Sequence, residues 1–361
     1  MSALATASRT MLLDIERLDW DRELLARFSI PAAVMPSLVD NDEIVGTMRR
    51  EILGYPVPVG GLCVDQQAAL YGERCTRPGS AKCTYGTGCF LLANVGGNPA
   101  VRGDGLLTSL GWRVAGQTDY VLDGGVYAAG SLVRWLVSSL GLARSQEALE
   151  ARLADGLAAI DSYLGARGTA ERAGGGHGQA EPESVQDQLG ELLFVPGLQG
   201  LAAPYWKSNA RGVWSGMQLS HSAAELVFAA LEAIAFRIRD IVESMERAGV
   251  RFERMVADGG LAANGALMQL QADVLERPVA VTGRPEVTAY GTALFAMAAA
   301  RRSGLTAGES SAAGADAVEP ADIARTLYKP SPTRSEYFAE RYRRWRGLIE
   351  LYRTHVWERD R

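Results

Sequence analysis

Ala81-Lys82-Cys83-Thr84-Tyr85-Gly86-Thr87-Gly88-Cys89-Phe90-Leu91-Leu92-Ala93-Asn94-Val95-Gly96-Gly97 is the stretch on which the fold turns. Two glycines bracket Thr87, and the apolar run Cys89 to Val95 behind them reads as a buried strand. A turn with two glycines lets backbone amides come close to a phosphate, and a hydroxyl beside them can donate a hydrogen bond. The same residues equally make an ordinary hairpin turn.

Similar junctions recur on either side. Met255 to Asp258 is a short strand that opens into Gly259-Gly260 and then a helical pattern through Leu261-Ala262-Ala263-Asn264. A helix beginning there would offer free N–H groups and a positive dipole end to a phosphate or nucleotide. Asp-Gly is also a common tight-turn pair. Gly124, Gly125 and Gly130 sit in GGVYAAGSLVRWL, where small residues allow close packing against a backbone or a flat ring. Upstream, Gly60 to Gly72 runs from an apolar strand-like piece into Asp65 and Gln66, then into an apolar helix start. A carboxylate at Asp65 can take a proton from a substrate hydroxyl and the Gln66 amide can orient it; an N-cap Asp is the competing reading.

Other elements follow from pattern. Leu192 to Pro196 reads as a strand, and Gly111 to Gly124 as a hairpin turning near Ala115-Gly116. Ser222 and Glu225 have capping-box spacing ahead of the stripe Val227, Leu231, Ile234, Ile238, Ile241, Met245, with Gly249 as the stop. Residues 334–361 read as a helix whose Arg341, Arg343, Arg344 and Arg346 lie on a solvated face. Residues 167–190 and 303–321 lack an apolar period and read as loops or connections. Strands mixed with long helices and Gly-rich junctions make an α/β protein.

Composition bounds the partners. The chain has 361 residues, which allows roughly two domains, and its net charge of −5 argues against a nucleic-acid protein. At 47% hydrophobic and 22% charged it is neither disordered nor fibrous. No run is apolar enough for a membrane span, and MSALATASRT lacks the apolar core of a secretory signal. Cys63, Cys75, Cys83 and Cys89 form no CxxC pair and the histidines number 3, so no zinc site is expected, and reduced thiols point to the cytoplasm.

The order of these motifs resembles the FGGY carbohydrate kinases, nearest to members that phosphorylate glycerol. ASRTMLLDIERLDWD, DQQAALYGERC, AKCTYGTGCFLLANVGG, DGLLTSLGW, APYW, ARGVWSGM and DGGLAANGALMQLQADVL carry the resemblance, from Ala7 to Ala300 with an insertion at 167–190. It implies an actin/hexokinase-like (ribonuclease H-like) ATPase core with a nearly complete C-terminal domain. Residues 1–72 would be the remnant of the N-terminal catalytic domain, 73–305 the nucleotide-binding domain, and 306–361 a linker and helical tail. The implied reaction is ATP-dependent phosphorylation of glycerol or a related polyol. Asp65 then resembles the catalytic base and a substrate contact, Gln66 a substrate-hydroxyl contact and Phe90 an apolar wall. Thr87, Gly130, Gly260 and Asn264 resemble ATP contacts, as does Arg134 where relatives often have Gln. ATP or ADP and Mg²⁺ are the implied cofactors, with no metal-ligand set visible in this sequence. Lys207 after APYW and Ala202 depart from the family pattern, where Asp and Gly are usual. Because ASRT is reached within ten residues, most of the N-terminal domain is expected to be missing and transfer by this chain alone to be impaired. A nucleotide-binding pseudokinase, one half of a split kinase with a separately encoded N-terminal half, a decayed fragment without function and a homo-oligomer are the alternatives this leaves.

Overall fold

The computed structural model describes residues 1–172, 190–305 and 325–357. Its centre is a seven-stranded mixed sheet. Strand β1 (Ala81–Tyr85) and strand β2 (Cys89–Gly96) form an antiparallel hairpin. Strands β3 (Leu107–Val114) and β4 (Gln117–Val126) form a second, turning at Ala115 and Gly116, both at positive φ. After the short antiparallel pair β5 (Leu193–Pro196) and β6 (Gly212–Ser215), strand β7 (Met255–Asp258) enters the sheet parallel to β1. Strand β8 (Val279–Thr282) is parallel to β7, and β9 (Arg325–Tyr328) closes that edge antiparallel. The order across the sheet is β9-β8-β7-β1-β2-β4-β3.

Alternation along the strands divides the molecule into two layers. Cys83, Tyr85, Leu91, Ala93 and Leu122 face the main core. Helix α1 (Asp65–Gly72) lies on the other face; helices α2 (Gly130–Ser138), α3 (Gln146–Arg172), α4 (Ala223–Arg247) and α5 (Gly265–Leu275) add to the main core. Helix α4 begins with the expected capping box of Ser222 and Glu225 and buries Val227, Leu231, Ile234, Ile238, Ile241 and Met245. Helix α3 continues to Arg172, so the backbone of 167–172 is helical where a loop was expected; 173–189 and 306–324 lie outside the described residues.

Helix α6 (Val287–Arg302) crosses α1 on the second face. A Cβ on Gly291 would sit 1.8 Å from the carbonyl oxygen of Ala68, so only glycine permits this approach. Leu70, Tyr71, Leu92, Trp112, Val121, Val256 and Phe295 pack here, with Tyr71 stacked on Phe295 at 4.2 Å.

The final helix, α7 (Pro332–Tyr352), corrects one expectation. Arg341 is 3% exposed, not on a solvated face, because its guanidinium forms a two-pronged pair with Glu232 of α4 at 2.5 and 2.7 Å. Trp345 is fully buried and donates to the Phe194 carbonyl. Glu358 to Arg361 of the expected tail lie outside the described residues.

Within residues 1–64, the pieces around Ser8 and Asn41 lie on the sheet edge, whereas the antiparallel pair Ile44–Met48 and Val57–Gly60 packs on α6. Asn41 exchanges two hydrogen bonds with the backbone of Arg113, and Leu110 N–H donates to the Ser8 hydroxyl. These bonds cover part of the β3 edge that would otherwise be open to pairing. Arg9, in the ASRT motif, reaches across to Asp123 of β4 at 2.8 Å.

Candidate active site

The three glycine junctions meet at one end of the sheet. Gly86 to Gly88 form the turn of the β1–β2 hairpin, with Gly86 N–H donating to the Gly88 carbonyl. Because β7 runs parallel beside β1, Gly259 arrives against Tyr85. Gly259 has φ 89°, and a Cβ there would sit 2.6 Å from the Tyr85 oxygen, so the position needs glycine twice over. Gly130 completes the junction: its N–H donates to the Gly86 carbonyl at 3.0 Å, and a Cβ would lie 2.5 Å from that oxygen.

The same bonds change what the helix ends can do. Ala129 and Ser131 N–H both donate to the Thr87 carbonyl, so with Gly130 the amides opening α2 are occupied. At α5 the Asn264 side chain accepts from Leu267 N–H, and Gly265 N–H donates to Glu150 of α3 at 2.8 Å. Two of the first amides of the helix expected after Gly260 are therefore already taken. A short 3-10 turn over Gly260–Ala263 intervenes, and a carboxylate already takes the first amide of α5. What remains open is the turn itself: Thr87 is exposed, and a Cβ on Gly260 would meet nothing within 4 Å. A cavity of about 600 Å³ beside it is lined by Thr84, Asp258, Gly260, Ala263, Arg284 and Thr288, among others. Arg134 is exposed on α2, and none of the described contacts draws it into this group.

The residues expected to meet substrate lie on the sheet face toward α1. Asp65 opens α1 and is exposed; Val64 is the N-cap residue, and the Asp65 carboxylate accepts only from Gln66 N–H, at 2.7 Å, among the described contacts. The N-cap reading of Asp65 therefore fails. Phe90 is 39% exposed, and its ring lies over Gly125 of β4, where a Cβ would stand in tight contact with it at 3.2 Å. Gln66 is half-buried, and its Oε1 accepts from Lys82 at 3.2 Å.

Lys82 is the residue sequence reasoning missed. It is fully buried, donates to Gln66 and to the Thr84 hydroxyl, and stands 3.5 Å from Asp258 Oδ2. Asp258 is 7% exposed and faces the cavity. Asp123, paired to Arg9, lies two strands from Lys82 on the same row; burial pushes its carboxyl above the usual range, against the pull of Arg9 and Lys82. The available signal was spacing: Lys82 and Thr84 stand two apart in a strand and share a face.

A mixed sheet of this order, with a glycine hairpin turn docked on a helix and a second glycine pair at the neighbouring strand end, is the actin/hexokinase-like fold. The chain belongs to the FGGY family of carbohydrate kinases: the family's C-terminal domain matches residues 81–300 and its N-terminal domain residues 1–72. The chain is 43% identical over 291 residues to a glycerol kinase of Aromatoleum aromaticum, covering 80% of this chain and 53% of that one. It is 36% identical over 357 residues to a glycerol kinase of Alkalilimnicola ehrlichii, covering 99% and 63%. A crystal structure of Plasmodium falciparum glycerol kinase with ADP superposes with a TM-score of 0.77 at 27% identity, covering 98% of this chain and 63% of that chain. The chain thus spans about half to two thirds of the length of these relatives. The expectation of a largely missing N-terminal domain finds no support in the N-terminal match, and neither do a separately encoded half or a homo-oligomer. No helix among the described residues is long and apolar enough to cross a membrane.

Proposed function

We propose that the chain takes part in phosphoryl transfer from ATP to a hydroxyl of glycerol or a related polyol. The observation that carries this reading is the meeting of the Gly86–Gly88 turn, Gly259–Gly260 and Gly130 at the sheet end next to Gln66, Lys82 and Asp258. Phosphoryl transfer asks mainly for positioning and charge stabilisation, which such a constellation supplies.

In this reading the exposed Asp65 carboxylate takes the proton of the attacking hydroxyl, Gln66 orients that hydroxyl, and the Phe90 ring covers the carbon skeleton. Thr87, exposed at its turn, meets the phosphates, and the open space at Gly260 admits the nucleotide. Gly130 holds the turn by close packing against Gly86 and stays a nucleotide-side candidate. Arg134 and Asn264 stay as nucleotide-side candidates, the latter also as the cap of α5. Among the described residues no cluster of three or more His, Cys, Asp or Glu is placed to hold a metal ion. The products are the phosphorylated polyol and ADP.

The test is ATP-dependent glycerol phosphorylation by the purified chain beside Asp65→Asn. We expect the substitution to lower turnover by about 10²–10⁴-fold, the usual worth of a general base. Equal rates in the two proteins would sink the role of Asp65. ADP binding without turnover in the unaltered chain would leave a nucleotide-binding protein that does not transfer, and no binding of ADP would overturn both readings.

A further inference from the structure

We propose that Lys82 is a positioning residue that fixes the substrate-facing amide of Gln66; this rests on reading Gln66 as a substrate contact. A fully buried ammonium is costly unless each of its protons finds an acceptor. Lys82 has three donors and no acceptor, and three acceptors surround it: Gln66 Oε1 at 3.2 Å, the Thr84 hydroxyl and Asp258 Oδ2 at 3.5 Å.

This pattern decides which way the Gln66 amide points. The two ends of a glutamine amide are nearly equal in shape, and hydrogen-bond partners choose between them. An ammonium only donates, so the carbonyl oxygen must face Lys82 and the NH₂ must face away. Gln66 thereby becomes a donor toward its ligand, suited to a hydroxyl oxygen offering a lone pair. Asp258 holds the ammonium from the far side, and its Oδ1 is buried without another partner among the described residues. The bond also joins the two halves of the family match, since Gln66 lies in residues 1–72 and Lys82 in residues 81–300.

The experiment is a double-substitution cycle on the full chain, read by calorimetric titration of the ADP-loaded protein with glycerol, so that turnover is not needed. Lys82→Met and Gln66→Ala should each weaken glycerol about tenfold or more, the loss of one well-placed polar contact. ADP affinity should stay within about twofold, below the tenfold that corresponds to one such contact. The double substitution should be no worse than either single one. Losses that multiply would overturn the proposal. Because Lys82→Met strands Asp258, Lys82→Met/Asp258→Asn is measured as well; folded protein with unaltered glycerol affinity would show a purely structural ion pair and overturn it. If the unaltered chain binds no glycerol, the substrate reading fails separately. The side-chain amide resonance of Gln66 then decides: Lys82→Met should shift it and the remote Arg343→Ala should not, and an unmoved resonance overturns the proposal.

Discussion

Cys63 lies directly before the residues that open α1, and burial pushes its thiol up to about 12; Val64 N–H lowers it less, and the nearby Asp65 carboxylate adds to the rise. Thiolate is the reactive form, so at pH 8 Cys63 is held as an inert thiol. Cys75, Cys83 and Cys89 are buried. The native chain is therefore expected to resist iodoacetamide at pH 8 and to take up label at all four cysteines once unfolded, as mass spectrometry would count. Rapid native labelling of Cys63 would contradict this. At the same scale, Gly259 and Gly260 separate cleanly although they are neighbours. Alanine at Gly259 meets the Tyr85 backbone and adopts a disfavoured φ, so it should cost about 1–3 kcal/mol or more in a denaturant titration. Alanine at Gly260 enters open space and should leave stability within about 0.5 kcal/mol. The sequence made both glycines visible, but only contact with Tyr85 tells them apart.

Elements are joined by a few contacts that a linear pattern does not reveal. The crossing of α1 and α6 needs Gly291 against Ala68, and nothing in VTAYGTALFAMAAARR pairs it with a helix more than 200 residues earlier. Helix α7 carries a charge-rich sequence, which is why a solvated face was the natural reading of Arg341. Its partner is Glu232, whose carboxyl burial pushes upward while Arg341 pulls it back. Removing one member of a buried pair leaves an uncompensated charge and costs about 3–5 kcal/mol, whereas replacing both with apolar residues can be neutral. Arg341→Met should lower thermal stability sharply, and Glu232→Leu/Arg341→Met should recover most of the loss. A double variant as unstable as the single would show that the pair itself stabilises. By contrast the α4 capping box and its apolar stripe were fully legible, because capping and helical period are local properties.

At the scale of the whole molecule, the first 72 residues and the sheet share one polar layer, made by Arg9 with Asp123 and by Gln66 with Lys82. A ligand bound only by the native form stabilises by mass action, about 2.7 kcal/mol at one hundred times its Kd. ADP at that excess should raise Tm measurably in a thermal scan, and Thr87→Ala should reduce the rise; an unchanged Tm would argue against nucleotide binding. The sequence by itself determined the α/β class, the hairpins at Gly86–Gly88 and Ala115–Gly116, the capped α4 and the family, since turns, caps and apolar periods act over a few residues and motif order survives in the chain. Only the tertiary structure decided that helix ends at Gly130 and Gly265 are already occupied, that Arg341 is buried, and that Lys82 stands between Gln66 and Asp258. Those facts depend on which strands become neighbours, and β1 meets β7 across more than 150 residues of chain. The partners that satisfy a buried charge or a helix amide are chosen by that pairing and not by the residues beside them.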